Sequence, residues 1–210
     1  QAMYDFNRGS IDVVENVGGI EGNNVEGYHA NYILEERRYD SDEFNFNTVY
    51  ENNLTDNFTL QSGVMYQYYN GKNFKIVEDL LGADFYVDID RFAEFEAGAD
   101  QDFIQNDLNN PNRILREGDR WGYDYESNIH RAAVWAQGNL NLRKIDAFAA
   151  LEVSNTRFWR TGNVRNGRFP DNSLGDSEEQ TFNNFSLKGG LTYKVDGRNY
   201  FFANAGYLTR

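Results

Sequence analysis

Six stretches of alternating polar and apolar residues run through the chain, and the connections between them are short, long, short, long and short. The stretches cover residues 44–54, 58–68, 128–142, 145–156, 185–195 and 200–209. The short connections are Thr55-Asp56-Asn57, Arg143-Lys144 and Asp196-Gly197-Arg198-Asn199. The last contains the Asp-Gly pair that favours a tight hairpin. The long connections cover residues 69–127 and 159–183. Ten-residue strands are long for a globular sheet but match a tilted crossing of a bilayer. A soluble sandwich has no reason to sort its connections by length. A transmembrane barrel does, with short turns on the periplasmic side and long loops outside the cell. The pattern predicts an all-β fold: an antiparallel transmembrane β-barrel segment of about six meander strands. Strands 44–54, 128–142 and 185–195 then run toward the periplasm, and their hairpin partners run outward.

The two faces of each strand differ in the way a barrel wall requires. Phe185, Leu187, Gly189, Leu191, Tyr193 and Val195 oppose Asn184, Ser186, Lys188, Thr192 and Lys194. Ile145, Ala147, Ala149, Leu151 and Val153 oppose Asp146, Glu152, Ser154 and Thr156, and residues 128–142 repeat the scheme. Residues 200–209 are aromatic on both faces, so their phase stays open. Tyr66, Tyr68, Tyr69 and Trp159 fall near the expected external ends, where an interfacial aromatic girdle belongs. Packing beneath the loops is the plainer reading of the same residues.

Composition agrees. Aromatic residues make up 16% of the chain, with 14 Tyr and 16 Phe, and only two prolines interrupt it. That suits long, continuously paired strands. The absence of cysteine excludes a disulfide framework and a thiolate-bound metal. A net charge of −13 disfavours phosphate-backbone recognition, which needs clustered Lys and Arg, so no nucleic-acid partner is expected. No apolar run is long enough for a membrane helix, and the first residues lack the basic and apolar regions of a secretory signal. The mean hydropathy of −0.73 does not argue against a barrel, because only alternate strand residues meet lipid. Residues 1–43 read as an extracellular loop with a strand extension over 28–40. Residues 44–210 read as three hairpins, all within one partial barrel domain of a longer chain.

Few residues point to chemistry. The connection 72–126 is acidic, and Asp84, Asp88 and Asp90 are its candidates for a calcium ion. Their spacing departs from the helix–loop–helix calcium template, and a solvated acidic loop explains them more simply. Acid pairs of glycosidase type can be drawn in any such loop. No catalytic residue is assigned, and no cofactor beyond that calcium. His29 and His130 have no neighbours at metal-ligand spacing. Trp159, Arg160, Arg165, Arg168, Phe169 and Asp171 make the second long connection basic and aromatic within an acidic protein. Guanidinium groups beside aromatic rings can grip a carboxylate, a phosphate or a sugar, so these six are the candidate ligand contacts. The plainer alternative pairs the arginines with Asp171, Asp176, Glu178 and Glu179 to order the loop. Three Asn-x-Ser/Thr triplets, at Asn53, Asn57 and Asn184, are explained by abundant Asn.

Several strings resemble TonB-dependent receptors of Bacteroidetes-type bacteria. They are Gly118-Asp119-Arg120-Trp121-Gly122-Tyr123-Asp124-Tyr125, Ile129-His130-Arg131-Ala132 and Arg165-Asn166-Gly167-Arg168-Phe169-Pro170-Asp171. Phe185-Ser186-Leu187-Lys188-Gly189-Gly190-Leu191-Thr192-Tyr193 and Gly197-Arg198-Asn199-Tyr200-Phe201-Phe202 belong with them. The likeness covers about residues 28–210. It implies the outer membrane of a Gram-negative bacterium and a wall of about 22 strands around a plug, of which this chain would supply a part. It also implies outer-membrane lipid as surroundings, TonB as partner through segments not seen here, and a surface-exposed lipoprotein partner. The implied activity is import of a scarce small ligand such as a siderophore, glycan or peptide. A non-importing outer-membrane barrel (adhesin or secretion-associated) and a soluble secreted sugar-binding β-protein remain the alternatives.

Overall fold

The computed structural model describes residues 2–8, 11–96, 98 and 100–209. After a short helix α1 (Ala2–Arg8) the described elements are strands. They are β1 (Ile11–Val14), β2 (Val25–Tyr28), β3 (Leu34–Thr55), β4 (Phe58–Asp79), β5 (Tyr86–Val87), β6 (Ile114–Leu115), β7 (Arg120–Asn141), β8 (Ile145–Gly162), β9 (Gly175–Asp176), β10 (Gln180–Lys194) and β11 (Tyr200–Leu208). One 3-10 turn, Ala93–Phe95, matters below. The protein is therefore all-β with antiparallel sheets. The main sheet has the order β11-β10-β8-β7-β4-β3, with β9 added to β8; β1-β2 and β5-β6 form two small sheets. The path is open, with β3 and β11 at its edges.

All six expected strands are present, and five are longer than the alternation suggested; β10 begins at Gln180. β4 continues to Asp79, β7 begins at Arg120, β3 begins at Leu34 and β8 continues to Gly162. The long connections shorten to residues 80–119 and 163–179. The extension of β3 carries charged residues on both faces and gave no apolar rhythm, whereas that of β7 alternates aromatic residues at 121, 123 and 125 with charged ones at 120, 124 and 126. Cross-strand hydrogen bonding to an equally long neighbour keeps them extended.

The chain divides into two compact units. The first comprises residues 1–42, 70–127 and 159–178, and the second residues 43–69, 128–158 and 179–210.

In the second unit, register sorts the side chains. β10 aligns Phe185, Leu187, Gly189, Leu191 and Tyr193 with Val153, Leu151, Ala149, Ala147 and Ile145 of β8. β11 places Tyr207, Ala205, Ala203 and Phe201 beside Leu187, Gly189, Leu191 and Tyr193. Opposite residues share a face, so one face is apolar across three strands, and the open phase of β11 is fixed. The other face carries polar bonds: Gln61 to Glu51 (2.6 Å), Gln67 to Glu43 (2.7 Å), Thr59 to Asn53 (2.8 Å) and Lys194 to Asp146 (2.5 Å). Gly63 is required there, because a Cβ would lie 2.6 Å from Trp135 Nε1. Among the described residues Ala133 is the one buried hydrophobic side chain of this unit. Its apolar face is open, with Leu187, Leu191, Val153 and Phe201 all classed as exposed.

The first unit has an ordinary core. Ala30, Val77, Leu80, Tyr86 and Leu115 form one cluster, and Phe85, Val87, Ile89, Ala93 and Ile104 a second. Asn7 of α1 is buried and ties the helix down, donating to the Leu80 carbonyl (2.8 Å) and accepting from the Tyr32 N–H (2.7 Å).

Candidate functional site

Within the first unit, residues from β4, β5, β7, β8 and the two long connections line a cavity of about 470 Å³. Its aromatic wall comprises Tyr86, Phe92, Trp121, Tyr123, Tyr125 and Phe169; its cations are Lys75, Arg91, Arg160 and Arg168; its carboxylates are Asp90 and Asp124. Alternation on β7 sends Trp121, Tyr123 and Tyr125 to one side.

Asp88 anchors the wall. Its buried carboxylate accepts from Asn106 Nδ2 (2.9 Å), the Gly122 N–H (2.9 Å) and Arg113 Nε (3.1 Å). Three donors, from residues 106, 113 and 122, therefore converge on one buried carboxylate. Asp90 accepts from the Phe92 and Ala93 N–H groups (3.0 and 3.2 Å) and so starts the 3-10 turn that presents Phe92 and Phe95. Gly167 donates to the Gln105 carbonyl (2.9 Å), and a Cβ on it would run into the Asp102 carbonyl. That close approach brings Arg168 to Asp90 (3.4 Å), to Glu96 and to the Phe103 ring.

The remaining cations are held as closely. Lys75 Nζ lies 3.1 Å from Glu35 and 4.3 Å from the centre of the Trp121 ring. Burial pushes the Glu35 carboxyl up, but hydrogen bonds from Arg37 and Lys75 outweigh it, and the net shift is downward. Arg91 donates to His29 Nε2 (3.0 Å) and pairs with Glu94 (3.3 Å). Burial, with Arg91 adding, holds the His29 imidazole below its ordinary value; Asp12 opposes this. His29 is thus the neutral tautomer with Nδ1–H toward Asp12 (3.3 Å) and Nε2 accepting from Arg91.

Of the six residues marked in the sequence, the structure brings Arg160, Arg168 and Phe169 to the cavity; Trp159, Arg165 and Asp171 do not line it. The arginines do order the loop, though by other partners than the acids next to them in sequence. Arg160 donates to the Asn172 and Ser173 carbonyls (2.6 and 3.2 Å), and Arg165 to the Pro170 carbonyl (3.1 Å). The three aspartates considered for calcium separate into different duties. Asp84 accepts from the Tyr28 N–H (2.8 Å), while Asp88 and Asp90 serve as described. Among the described residues no group of three His, Cys, Asp or Glu side chains could hold a metal ion. Sequence reading missed Lys75, Arg91, Trp121, Tyr123 and Tyr125 as wall residues; the aromatic alternation 121-123-125 was the available signal.

In the second unit the polar face bears a larger open hollow of about 780 Å³, with Arg131, Trp135, Glu152 and Lys188 in its lining. Arg131 and Glu152 pair there at 3.5 Å. Near the same unit's apolar face, His130 Nδ1 bonds the Tyr66 hydroxyl (2.8 Å) and its ring packs on Tyr68 at 4.9 Å. His130 thus packs with Tyr66 and Tyr68, two of the residues expected in the girdle.

Comparison with protein-family models, with curated proteins and with solved structures returned no match. No described helix is long and apolar enough to cross a membrane, which says nothing about crossing by strands.

Proposed function

We propose that the chain is part of the wall of an outer-membrane β-barrel, of the TonB-dependent receptor type, that imports a scarce ligand into a Gram-negative bacterium. The observation that carries this reading is the open apolar face of the second unit. Leaving a Leu, Val or Phe side chain half exposed to water forgoes about 1 kcal/mol. Roughly a dozen such side chains would forgo an amount comparable with the whole stability of a folded domain, about 5–15 kcal/mol. Hydrocarbon removes that cost and leaves the polar face for the lumen. Short turns at 56–57 and 142–144 and long connections at 80–119 and 163–179 support the same orientation. An open sheet cannot stand alone in lipid, because each unpaired edge group there costs several kcal/mol; β3 and β11 therefore require further strands.

The ligand is met by the cavity in the long connections. Cell fractionation followed by ligand-uptake measurement with and without TonB tests the reading. The expected result is recovery from the outer membrane only with detergent, and uptake that stops when TonB is removed. Outer-membrane recovery with no TonB-dependent uptake would favour a non-importing barrel. Recovery from the soluble fraction would refute the barrel itself.

A further inference from the structure

We propose that the cavity of the first unit takes an uncharged, ring-bearing solute and rejects anions. The import reading supplies only the purpose of the cavity; the selectivity follows from its wall. Every cation that reaches the cavity is already engaged: Lys75 with Glu35, Arg91 with Glu94 and His29, Arg168 with Asp90 and Glu96, and Arg160 with the carbonyls of Asn172 and Ser173. An anionic ligand would have to displace these partners and leave carboxylates or carbonyls without donors. It would also enter the acidic half of the molecule, since the first unit holds 26 acidic and 12 basic side chains. That field repels anions over a Debye length of about 8 Å at physiological salt.

A cationic ligand loses most of the aromatic wall, because cations of the protein already lie over three of its six rings and a fourth, Tyr125, packs on Tyr123. Lys75 lies over Trp121 and Tyr123, at 4.3 and 5.4 Å from the ring centres, and Arg91 lies 5.7 Å over Tyr86. Phe92 and Phe169 remain, 85% and 60% exposed although both line the cavity. Large aromatic side chains left open at the lining of a cavity mark a contact surface. With the charges matched and two rings free, stacking is the interaction left to a ligand.

The test uses the purified full-length protein in detergent and three probes of one shape: naphthalene-2-carboxylate, naphthalene-2-carboxamide and naphthalene-2-carboxamidine, titrated by calorimetry or equilibrium dialysis. The neutral carboxamide is expected to bind at least about tenfold tighter than the carboxylate, with an affinity independent of salt. Phe92→Ala and Phe169→Ala, both at exposed positions that leave the core intact, are each expected to weaken it several-fold. A carboxylate that binds as tightly as the carboxamide overturns the proposal. So does unchanged affinity in both variants, a preference for the carboxamidine, or no binding of any probe up to its solubility. Failure of the import reading is separately visible, because a protein found outside the outer membrane could still show this selectivity.

Discussion

The two units of this molecule are built for different surroundings. The first holds 26 acidic and 12 basic side chains, a net −14, and packs two buried apolar clusters: Phe85, Val77 and Leu115 are all within 1% of full burial. The second holds 7 acidic and 8 basic side chains, a net +1, and turns its apolar groups out, with Leu187 and Leu191 about half exposed. The first is organised as proteins in water are. The second is organised with hydrogen-bonded polar pairs on one face and exposed apolar side chains on the other. The whole-chain charge and hydropathy average these opposite plans and describe neither. Burial and charge read unit by unit separate two plans that the whole-chain values merge.

Four substitutions or conditions would break or sharpen this contrast. The largest effect is expected at Asp88 in the first unit. Asp88→Ala leaves Arg113, Asn106 and the Gly122 N–H without their acceptor and should cost about 3–5 kcal/mol, read as lost protection of residues 84–122 in hydrogen exchange. Next, Leu191→Arg on the apolar face should cost about 2–4 kcal/mol when the protein is unfolded from lipid vesicles. Thr192→Arg on the other face should cost little, and equal costs at the two positions would erase the distinction between the faces. Third, Gly63→Val forces a side chain into the Trp135 indole and should cost about 1–3 kcal/mol, seen in urea unfolding with a changed Trp135 emission.

The smallest effect is a pH dependence. His29 has a folded pKa below its unfolded value of 6.5, so the unfolded chain takes up the proton first. The stability of the first unit is then fully present above pH 6.5 and declines as the pH falls below it. Protonation removes the Nε2 acceptor that holds Arg91. Melting curves from pH 7.5 to 5 should show this decline, and His29→Gln should flatten it.

The second unit was largely legible in the sequence, because a period of two writes each face directly into the residues. Only β11 was ambiguous, with Phe201 and Phe202 adjacent; pairing to Tyr193 and Thr192 of β10 decides it, and pairing is not a local property. The cavity was half legible. Arg160, Arg168 and Phe169 drew notice by standing out chemically in an acidic chain. Lys75, Arg91 and Trp121 come from three other places in the chain, and what unites them is the Asp88 and Asp90 hydrogen bonding that folds residues 80–119. No sequence period encodes such loop-to-loop contacts. The extension of β3 was hidden for a related reason, since charged residues on both faces give no rhythm to read; that of β7 did carry one, in Trp121, Tyr123 and Tyr125.

The claim that lipid covers the apolar face can be tested directly, because the chain contains no cysteine. Single nitroxide labels at Leu187→Cys and Lys188→Cys in vesicle-reconstituted protein would report collisions with oxygen, which concentrates in lipid, and with a water-soluble nickel chelate. The account predicts a label at 187 relaxed by oxygen and shielded from nickel, and a label at 188 with the opposite preference. A label at 187 as open to nickel as the one at 188 would contradict it.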